Sequence, residues 1–335
     1  MLYRLLGDIR TVSVIGMCKN AGKTTALNAF ISSCGAHNER IGLTSIGRDG
    51  ERSDLVTNTK KPEIFVQRGT VIATAEMLIS EGDISREILE VTPVSTPMGR
   101  VVIINAMSSG FVQIGGPSIT SELISIRDKL LALGCSRVFI DGAISRKSLG
   151  APQLADGVVL CSGASYNPDI RTTVEETAYI ASLFNLPVCV PGCKLDLNSK
   201  FTAISGDEAF SSESVSGLQQ YIKANGADVL FVNGALTDKI ASEINASAKL
   251  LAETYIAAVD ASRLLLCKAA YDKLKRLSAG LLVLKATKLL AVTVNPFSAY
   301  GNHYDKELFI GMTAEAVNRA ELNVPVIDVT DIKNA

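Results

Sequence analysis

The chain has 335 residues, 47% of them hydrophobic, and its 33 basic and 34 acidic side chains leave a formal charge of −1. A chain of this length and composition can bury a large core in one large domain or two ordinary ones. No long run of one charge is present, so the electrostatic surface that binds nucleic acids or anionic membranes is missing, and we expect neither among its partners.

The remaining composition favours a cytoplasmic protein. The first residues, MLYRLLGDIR, lack the apolar stretch of a signal peptide. The most hydrophobic later stretch is interrupted by Lys285 and Lys288, well short of the roughly 20 residues that a membrane-spanning helix needs.

The seven cysteines are scattered and odd in number, as is typical of reduced thiols. Cys189 and Cys193 are the one close pair, and no histidine near them in sequence completes a zinc site.

Short strand-like runs alternate with longer helical patterns along most of the chain, which predicts an α/β fold with a mainly parallel sheet flanked by helices. The predicted strands are rich in Val, Ile and Leu and cover residues 11–16, 41–47, 100–107, 137–142, 156–163, 227–234 and 288–295. The predicted helices are amphipathic and cover residues 24–34, 120–133, 169–184, 237–246 and 260–277.

Two stretches depart from this alternation. Within residues 60–116, the segments PEIFVQRGTVIATA and MGRVVIINAMSSGFVQIGG favour hairpin-forming strands, so we predict an antiparallel, β-rich insertion at the edge of the sheet. The periodicity lapses again at VCVPGCKLDLNS, which is rich in turn residues. We therefore place a domain boundary near residue 200, with a first domain over 1–200 and a smaller C-terminal α/β domain over 201–335.

The strongest functional signal lies in the first strand and helix, VIGMCKNAGKTTALNAF, from Val14 to Phe30. In a P-loop, backbone N–H groups surround the β-phosphate, a lysine reaches the β- and γ-phosphates, and the next hydroxyl ligates Mg²⁺ at the start of a helix. Lys23 and Thr24 occupy the last two positions in order. The predicted ATP and Mg²⁺ site accordingly comprises Gly16, Asn20, Ala21, Gly22, Lys23, Thr24 and Thr25.

The spacing of this loop is unusual. The strict motif has a glycine six residues before the lysine, whereas here that position is Met17 and the glycine is Gly16. The longer loop resembles dethiobiotin synthetase and the cobyric acid synthase group, within the P-loop class that includes the MinD-like ATPases. Cys18 stands where the MinD-like proteins have their extra signature lysine, and Lys19 is one place away. At this position the chain departs from their pattern.

Hydrolysis also requires carboxylates around the magnesium and the attacking water. Asp141 ends an apolar strand in RVFIDGAISRKS, where an open α/β sheet presents ligands, and the segment resembles the EGA of dethiobiotin synthetase. We predict that Asp141 is a catalytic residue and a ligand of the metal ion. Asp49, in the loop LTSIGRDGERSD, is predicted to share that role and to sense the γ-phosphate, with Glu51 as a weaker candidate. Arg48 and Arg52 in that loop either neutralise phosphate charge or belong to a solvated turn.

Three asparagines follow predicted strands. Asn167 is predicted to cap the next helix, with Pro168 in its first turn. Asn233 and Asn295 either read a purine edge or stabilise turns, and the sequence leaves both alternatives open.

Taken in order, five segments resemble the P-loop subunit of the reactivating factor for lysine 5,6-aminomutase and ornithine aminomutase: GMCKNAGKTT, LTSIGRDGERSDLVTNTKKPEIFV, GTVIATAEML, FIDGAISRKS and LCSGASYN. The resemblance implies an ATPase that works with a second, MutS-like ATPase subunit. It would release damaged cobalamin from a cobalamin-dependent aminomutase. Residues 60–116 are the expected protein-facing surface, and an oligomer is left open.

Two other functions fit the same residues. A ligase resembling dethiobiotin synthetase would use ATP to activate a carboxyl or carbamate, and Thr44, Ser45, Arg48 and residues 145–147 would line its substrate pocket. A nucleotide-dependent scaffold with little turnover is the third interpretation. The sequence does not determine the base preference or the recipient of the energy.

Overall fold

The computed structural model describes residues 2–47, 63–144, 150–193, 195, 198–246 and 251–332. It divides the chain into two units: Met1–Ala181 together with Lys288–Ala335, and Ser182–Thr287. Among the helices in the described ranges, none is both long enough and apolar enough to cross a membrane. Helices and strands are numbered below along the whole chain.

The first unit contains a nine-stranded sheet, and a separate pair of short strands, β3 and β7. The strands are β1 (Thr11–Gly16), β2 (Ile41–Ser45), β3 (Ile64–Val66), β4 (Val71–Ala75), β5 (Arg86–Thr96), β6 (Gly99–Ala106), β7 (Gly110–Val112), β8 (Arg137–Ile144), β9 (Gly157–Gly163), β17 (Lys288–Asn295) and β18 (Val326–Asp328). The helices are α1 (Leu2–Leu6), α2 (Lys23–Gly35), α3 (Thr120–Ala132), α4 (Ile170–Leu183, which reaches the boundary), α8 (Lys306–Arg319) and α9 (Val329–Ile332).

The strand order is β18-β17-β9-β1-β8-β2-β4-β6-β5, and the pairs from β18 to β4 are parallel. Strands β1 and β9 are buried along their whole length, as expected for strands with helices on both faces. The α2 face is filled by Val12, Val14, Phe139 and Leu43 from the sheet and by Phe30 from the helix. Because the strands are parallel, their carboxyl ends meet at one edge.

The far side of the sheet is antiparallel, as the sequence predicted for residues 60–116. Strand β6 pairs antiparallel with both β4 and β5, and β5 is the last strand of the sheet. The pairing inside the insertion differs from a simple hairpin of its first two strands. Strand β3 pairs with β7 in a separate two-stranded sheet, whereas β4 joins β2 in parallel. Local periodicity identifies strands but does not choose their partners.

The second unit has its own five-stranded sheet, in the order β11-β10-β12-β14-β16, and a second, two-stranded sheet, β13-β15. Its strands are β10 (Phe201–Ser205), β11 (Glu208–Ser212), β12 (Val229–Val232), β13 (Leu236–Thr237), β14 (Tyr255–Ala258), β15 (Leu264–Leu265) and β16 (Gly280–Val283). Its helices are α5 (Val215–Asn225), α6 (Asp238–Asn245) and α7 (Lys268–Leu277). The unit is therefore α/β by itself.

The division differs from the predicted boundary near residue 200. Residues 288–335, assigned by sequence to the C-terminal domain, belong to the first unit, because β17 pairs in parallel with β9 and β18 pairs with β17. The second unit is thus inserted between α4 and β17. A long-range strand pairing of this kind leaves no local mark in the sequence.

The helix predicted over 260–277 is shorter than expected. Asp260 accepts hydrogen bonds from the Ser262 N–H and hydroxyl and begins a short 3-10 helix, and the following leucines form β15. Helix α7 begins only after Cys267, whose Sγ accepts a hydrogen bond from the Ala270 N–H. A short apolar run fits either a strand or a buried helix, so the sequence pattern does not separate β15 from the helix that follows it.

Candidate phosphate-binding site

The loop between β1 and α2 has a backbone suited to an anion. Gly22, the residue before α2, has φ 87°, and Asn20 has φ 60°, while Ala21 between them lies outside the left-handed region. Alternation of this kind turns successive N–H groups toward one point and forms an anion-binding concavity. Gly22 carries no side chain to cap the helix, and its carbonyl accepts the Ala26 N–H to begin α2. The first-turn amides and the helix dipole thus face the loop.

Lys23 lies against Gly16, at the end of β1. A Cβ on Gly16 would stand 2.8 Å from Lys23 Cδ, 2.9 Å from Cγ and 3.0 Å from Nζ. The lysine therefore folds back over the strand end and passes through space that only a glycine leaves free. The position of Gly16, one residue earlier than in the strict motif, is explained by this packing.

The loop is supported from the neighbouring strands. The Asn295 side chain, at the end of β17, donates from Nδ2 to the Asn20 carbonyl at 2.8 Å. A Cβ on Gly22 would stand 3.1 Å from the Val329 methyl groups, and one on Gly163 would stand 3.2 Å from Ala21 Cα. The C-terminal strand and helix therefore hold the loop in place, although they lie far from it in sequence.

Asp141 lies on β8, between Val14 of β1 and Ser45 of β2 in the register. Its Oδ1 is buried and has no hydrogen-bond partner among the described residues. Burial raises the pKa of Asp141 to about 6, and the positive charge of Lys23 opposes part of that rise. A buried carboxylate oxygen with no partner is unfavourable in the free protein, which makes it a good acceptor for a ligand or metal ion.

Two thiols lie near Lys23. Burial raises the pKa of Cys18 to about 11 and that of Cys161 to about 11, and Lys23 lowers both to a smaller extent. Both thiols are therefore protonated at neutral pH, and neither supplies a thiolate to neutralise the lysine or to act as a nucleophile. The ammonium group remains available to an anionic ligand.

The other predicted residues divide into two groups. Thr24 and Thr25 lie in the first turn of α2, both partly buried. Asp49, Glu51, the two arginines of that loop and residues 145–147 lie outside the described residues. Thr44 and Ser45 are almost fully buried on β2, and a Cβ on Gly116 would stand 1.9 Å from the Ser45 carbonyl oxygen. The predicted ligase pocket therefore does not open at Thr44 and Ser45.

Each of the three asparagines makes a side-chain hydrogen bond in the structure, and those of Asn167 and Asn295 include a local turn. The prediction that Asn167 caps α4 is wrong: its Oδ1 accepts the Asp169 N–H, and Asp169 accepts the N–H groups of Arg171 and Thr172. Asp169 is therefore the cap. The sequence also offers it, because aspartate is a favoured cap residue, but the pair Asn167-Pro168 just before it matches the same pattern. Asn295 also accepts the Phe297 N–H, and Asn233 donates to the Ser199 carbonyl in the second unit.

In the described part of the chain, no three His, Cys, Asp or Glu side chains cluster as a ready-made metal site. The arrangement offers instead converging amides, one lysine, two hydroxyls and one carboxylate, which is the donor set for a phosphate with an associated hard cation. Comparison with protein-family models, with curated proteins and with solved structures finds no match in any of the three.

Proposed function

We propose that this chain is a P-loop ATPase that binds Mg-ATP in the loop between β1 and α2. The observation that carries the proposal is the pairing of two features at the carboxyl edge of the sheet: a lysine at the start of a helix and, beside it, a carboxylate whose buried Oδ1 has no hydrogen-bond partner among the described residues. A structural turn explains neither the buried charge nor the lysine lying over Gly16. A bound phosphate and its cation satisfy both.

The residues fit the cofactor that the motif implies. The amides at Ala21, Gly22 and Lys23 would hold the phosphates. Thr24 and Asp141 would supply oxygen donors of the kind that Mg²⁺ prefers, and Asp49 is the proposed third ligand. When bound, Mg²⁺ neutralises charge on the phosphates and favours their transfer.

The protein's own groups then have distinct tasks. Lys23 binds the β- and γ-phosphates and stabilises negative charge. Asp141 accepts a hydrogen bond from the attacking water and orients it, since an ionised carboxylate only accepts hydrogen bonds. The buried environment around Asp141 strengthens these interactions, because charges act more strongly where water is excluded.

We further propose that hydrolysis drives reactivation of a cobalamin-dependent aminomutase together with a MutS-like subunit. The support is the resemblance of the sequence segments, and a surface in the insertion adds to it. Large apolar side chains of the insertion are exposed there: Phe65, Met77, Ile88, Val91, Met107 and Phe111. Exposed apolar residues grouped in one segment are typical of protein-binding surfaces.

ATP can drive such a cycle only if its bound states differ in affinity for conformations of the partner. A nucleotide that binds both states equally shifts nothing. The γ-phosphate distinguishes ATP from ADP, so its contacts with Lys23, Thr24 and Asp49 are the proposed sensor.

The test measures phosphate release by the purified chain with Mg-ATP, alone and with an aminomutase inactivated by damaged cobalamin. The proposal expects slow basal turnover and faster turnover with the mutase. A ligase would remain idle in both reactions until its small substrate is added, and a scaffold would bind ATP without turnover in either. Calorimetry that detects no binding of any nucleoside triphosphate to folded protein would refute the assignment of the site itself.

A further inference from the structure

A polar cavity lies at the opposite edge of the main sheet from the phosphate loop. Its volume is about 380 Å³, and it is bounded by the end of α2, the start of β2, the turn before β4 and the end of β6. The 13 residues of α2 separate it from Lys23, a distance of about 20 Å at 1.5 Å per residue. The cavity is large enough for a small organic molecule.

Two guanidinium groups line this cavity without partners. Arg40 and Arg68 are exposed, and within the described part of the chain neither makes a side-chain hydrogen bond or ion pair. The acid that lines the cavity with them, Glu39, does not neutralise them. Its Oε1 accepts from Tyr3 at 2.8 Å and from Arg137 at 3.2 Å, and its Oε2 accepts from Arg137 at 3.1 Å. The two arginines therefore bring to the cavity positive charge that no described residue pairs with, in a chain whose net charge is −1.

Uncharged polar groups complete the lining. Gln67 lies close to Gly35, since a Cβ there would stand 2.0 Å from Gln67 Oε1, and its amide has no hydrogen-bond partner in the described residues. Asn105 also lines the cavity, and its Oδ1 is likewise unpartnered there. An amide and two forked guanidinium groups are donors that match the planar oxygens of a carboxylate or the oxygens of a phosphate.

We propose that this cavity binds a small organic anion through Arg40, Arg68 and Gln67, at a site separate from the nucleotide. The recognised chemistry is an oxyanion, either carboxylate or phosphate, carried on a molecule small enough for the cavity. This proposal does not depend on ATP binding, since none of its residues lies in the phosphate loop.

The test uses inorganic phosphate and citrate as probes on the full chain with isotope-labelled arginine. The Nε–Hε signals of Arg40 and Arg68 are assigned from the variants Arg40→Gln and Arg68→Gln. They are then followed by NMR during each titration at constant ionic strength. Sodium chloride at matched ionic strength measures plain screening. We expect saturable shifts with at least one probe, and saturation by only one of them identifies the group as phosphate or carboxylate.

Each substitution should weaken binding by about tenfold or more, because a charge-assisted hydrogen-bond pair is lost. Arg100→Gln, on β6 and exposed outside the cavity, serves as the matched control and should bind as the wild type does. The titration is repeated in Lys23→Ala, where the shifts should persist. Three results would overturn the proposal: shifts that do not saturate, wild-type affinity in both Arg40→Gln and Arg68→Gln, or loss of the shifts in Lys23→Ala.

Discussion

The Asp141 carboxylate and the Lys23 ammonium interact across the carboxyl edge of the sheet, and the lysine offsets part of the effect of burying the acid. The offset is incomplete, because the pKa of Asp141 still stands at about 6, above the ordinary range for an aspartate. The free protein therefore carries an unfavourable charge at neutral pH. A cation bound beside Asp141 would remove that penalty.

The first prediction follows from this pKa. The folded protein binds the proton of Asp141 more tightly than the unfolded chain does. The protein is therefore most stable with respect to this group below the unfolded pKa, and it loses that stability as the pH rises through about 6. Asp141→Asn should therefore stabilise the ligand-free protein at pH 7.5 by up to about 3 kcal/mol, and hardly at all at pH 4. Urea unfolding at the two pH values measures the difference.

The same variant should lose the extra stabilisation that Mg-ATP gives the wild type, since the metal ligand is gone. Equal stability of Asp141→Asn and wild type at pH 7.5 would show that the carboxylate is compensated by some group other than Lys23. A variant stabilised at both pH values would point to packing in place of charge.

The second prediction concerns Lys23. Lys23→Ala should weaken Mg-ATP binding by at least about a hundredfold, because the charge-assisted contact to two phosphates is lost. It should lower the unfolding free energy by about 1 kcal/mol at pH 7.5, because Asp141 loses the positive charge that offsets part of its burial, and by less at pH 4. Isothermal calorimetry measures the affinity, with Lys288→Ala, an exposed lysine on β17, as the control. Unchanged affinity in Lys23→Ala would remove the lysine from the site.

The third prediction tests the packing of Lys23 on Gly16. Gly16→Ala places a methyl group 2.8 Å from Lys23 Cδ, so the lysine must move to another rotamer. We expect nucleotide affinity to fall by about tenfold or more while the fold is retained, because the far end of a flexible side chain gives way before the backbone does. Gly234→Ala, where no atom lies within 4 Å, is the matched control. Loss of the fold together with binding would mean that the backbone, and not the lysine, yields.

Much of the site could be predicted from the sequence because its signals are local. The strand, loop and helix around Lys23 are contiguous, and the place of Asp141 at a strand end follows from one apolar run. The support of the loop could not be predicted. Val329 and Asn295 reach the loop only because β17 pairs with β9, a contact between distant segments that no short pattern encodes. For the same reason the sequence predicts a domain boundary at the turn-rich segment near residue 200 and does not predict that residues 288–335 return to the first sheet.

The last prediction concerns a buried ion pair that behaves in the opposite way to Asp141. Arg137 is bonded to Glu39 and to the carbonyls of Gly7 and Ile9, and only 7% of the Arg137 side chain and 15% of the Glu39 side chain are exposed. Burial raises the pKa of Glu39, but the hydrogen bonds from Arg137 and Tyr3 outweigh it and leave the pKa below its ordinary value.

A lowered pKa contributes stability above the unfolded pKa, and that stability is lost as the pH falls through the folded value. Glu39→Ala should therefore destabilise the protein by about 3 kcal/mol or more at pH 7, because it leaves Arg137 buried without its carboxylate. Tyr3→Phe, which removes one hydrogen bond from the same carboxylate, should cost only about 1 kcal/mol. Chemical unfolding at pH 7 and at pH 3 separates the contributions. The deficit of Glu39→Ala should shrink at pH 3, because the glutamate of the unfolded wild type is protonated below its ordinary pKa and the charge then contributes less to stability. A deficit that is equal at both pH values would mean that the side chain acts through packing and not through its charge.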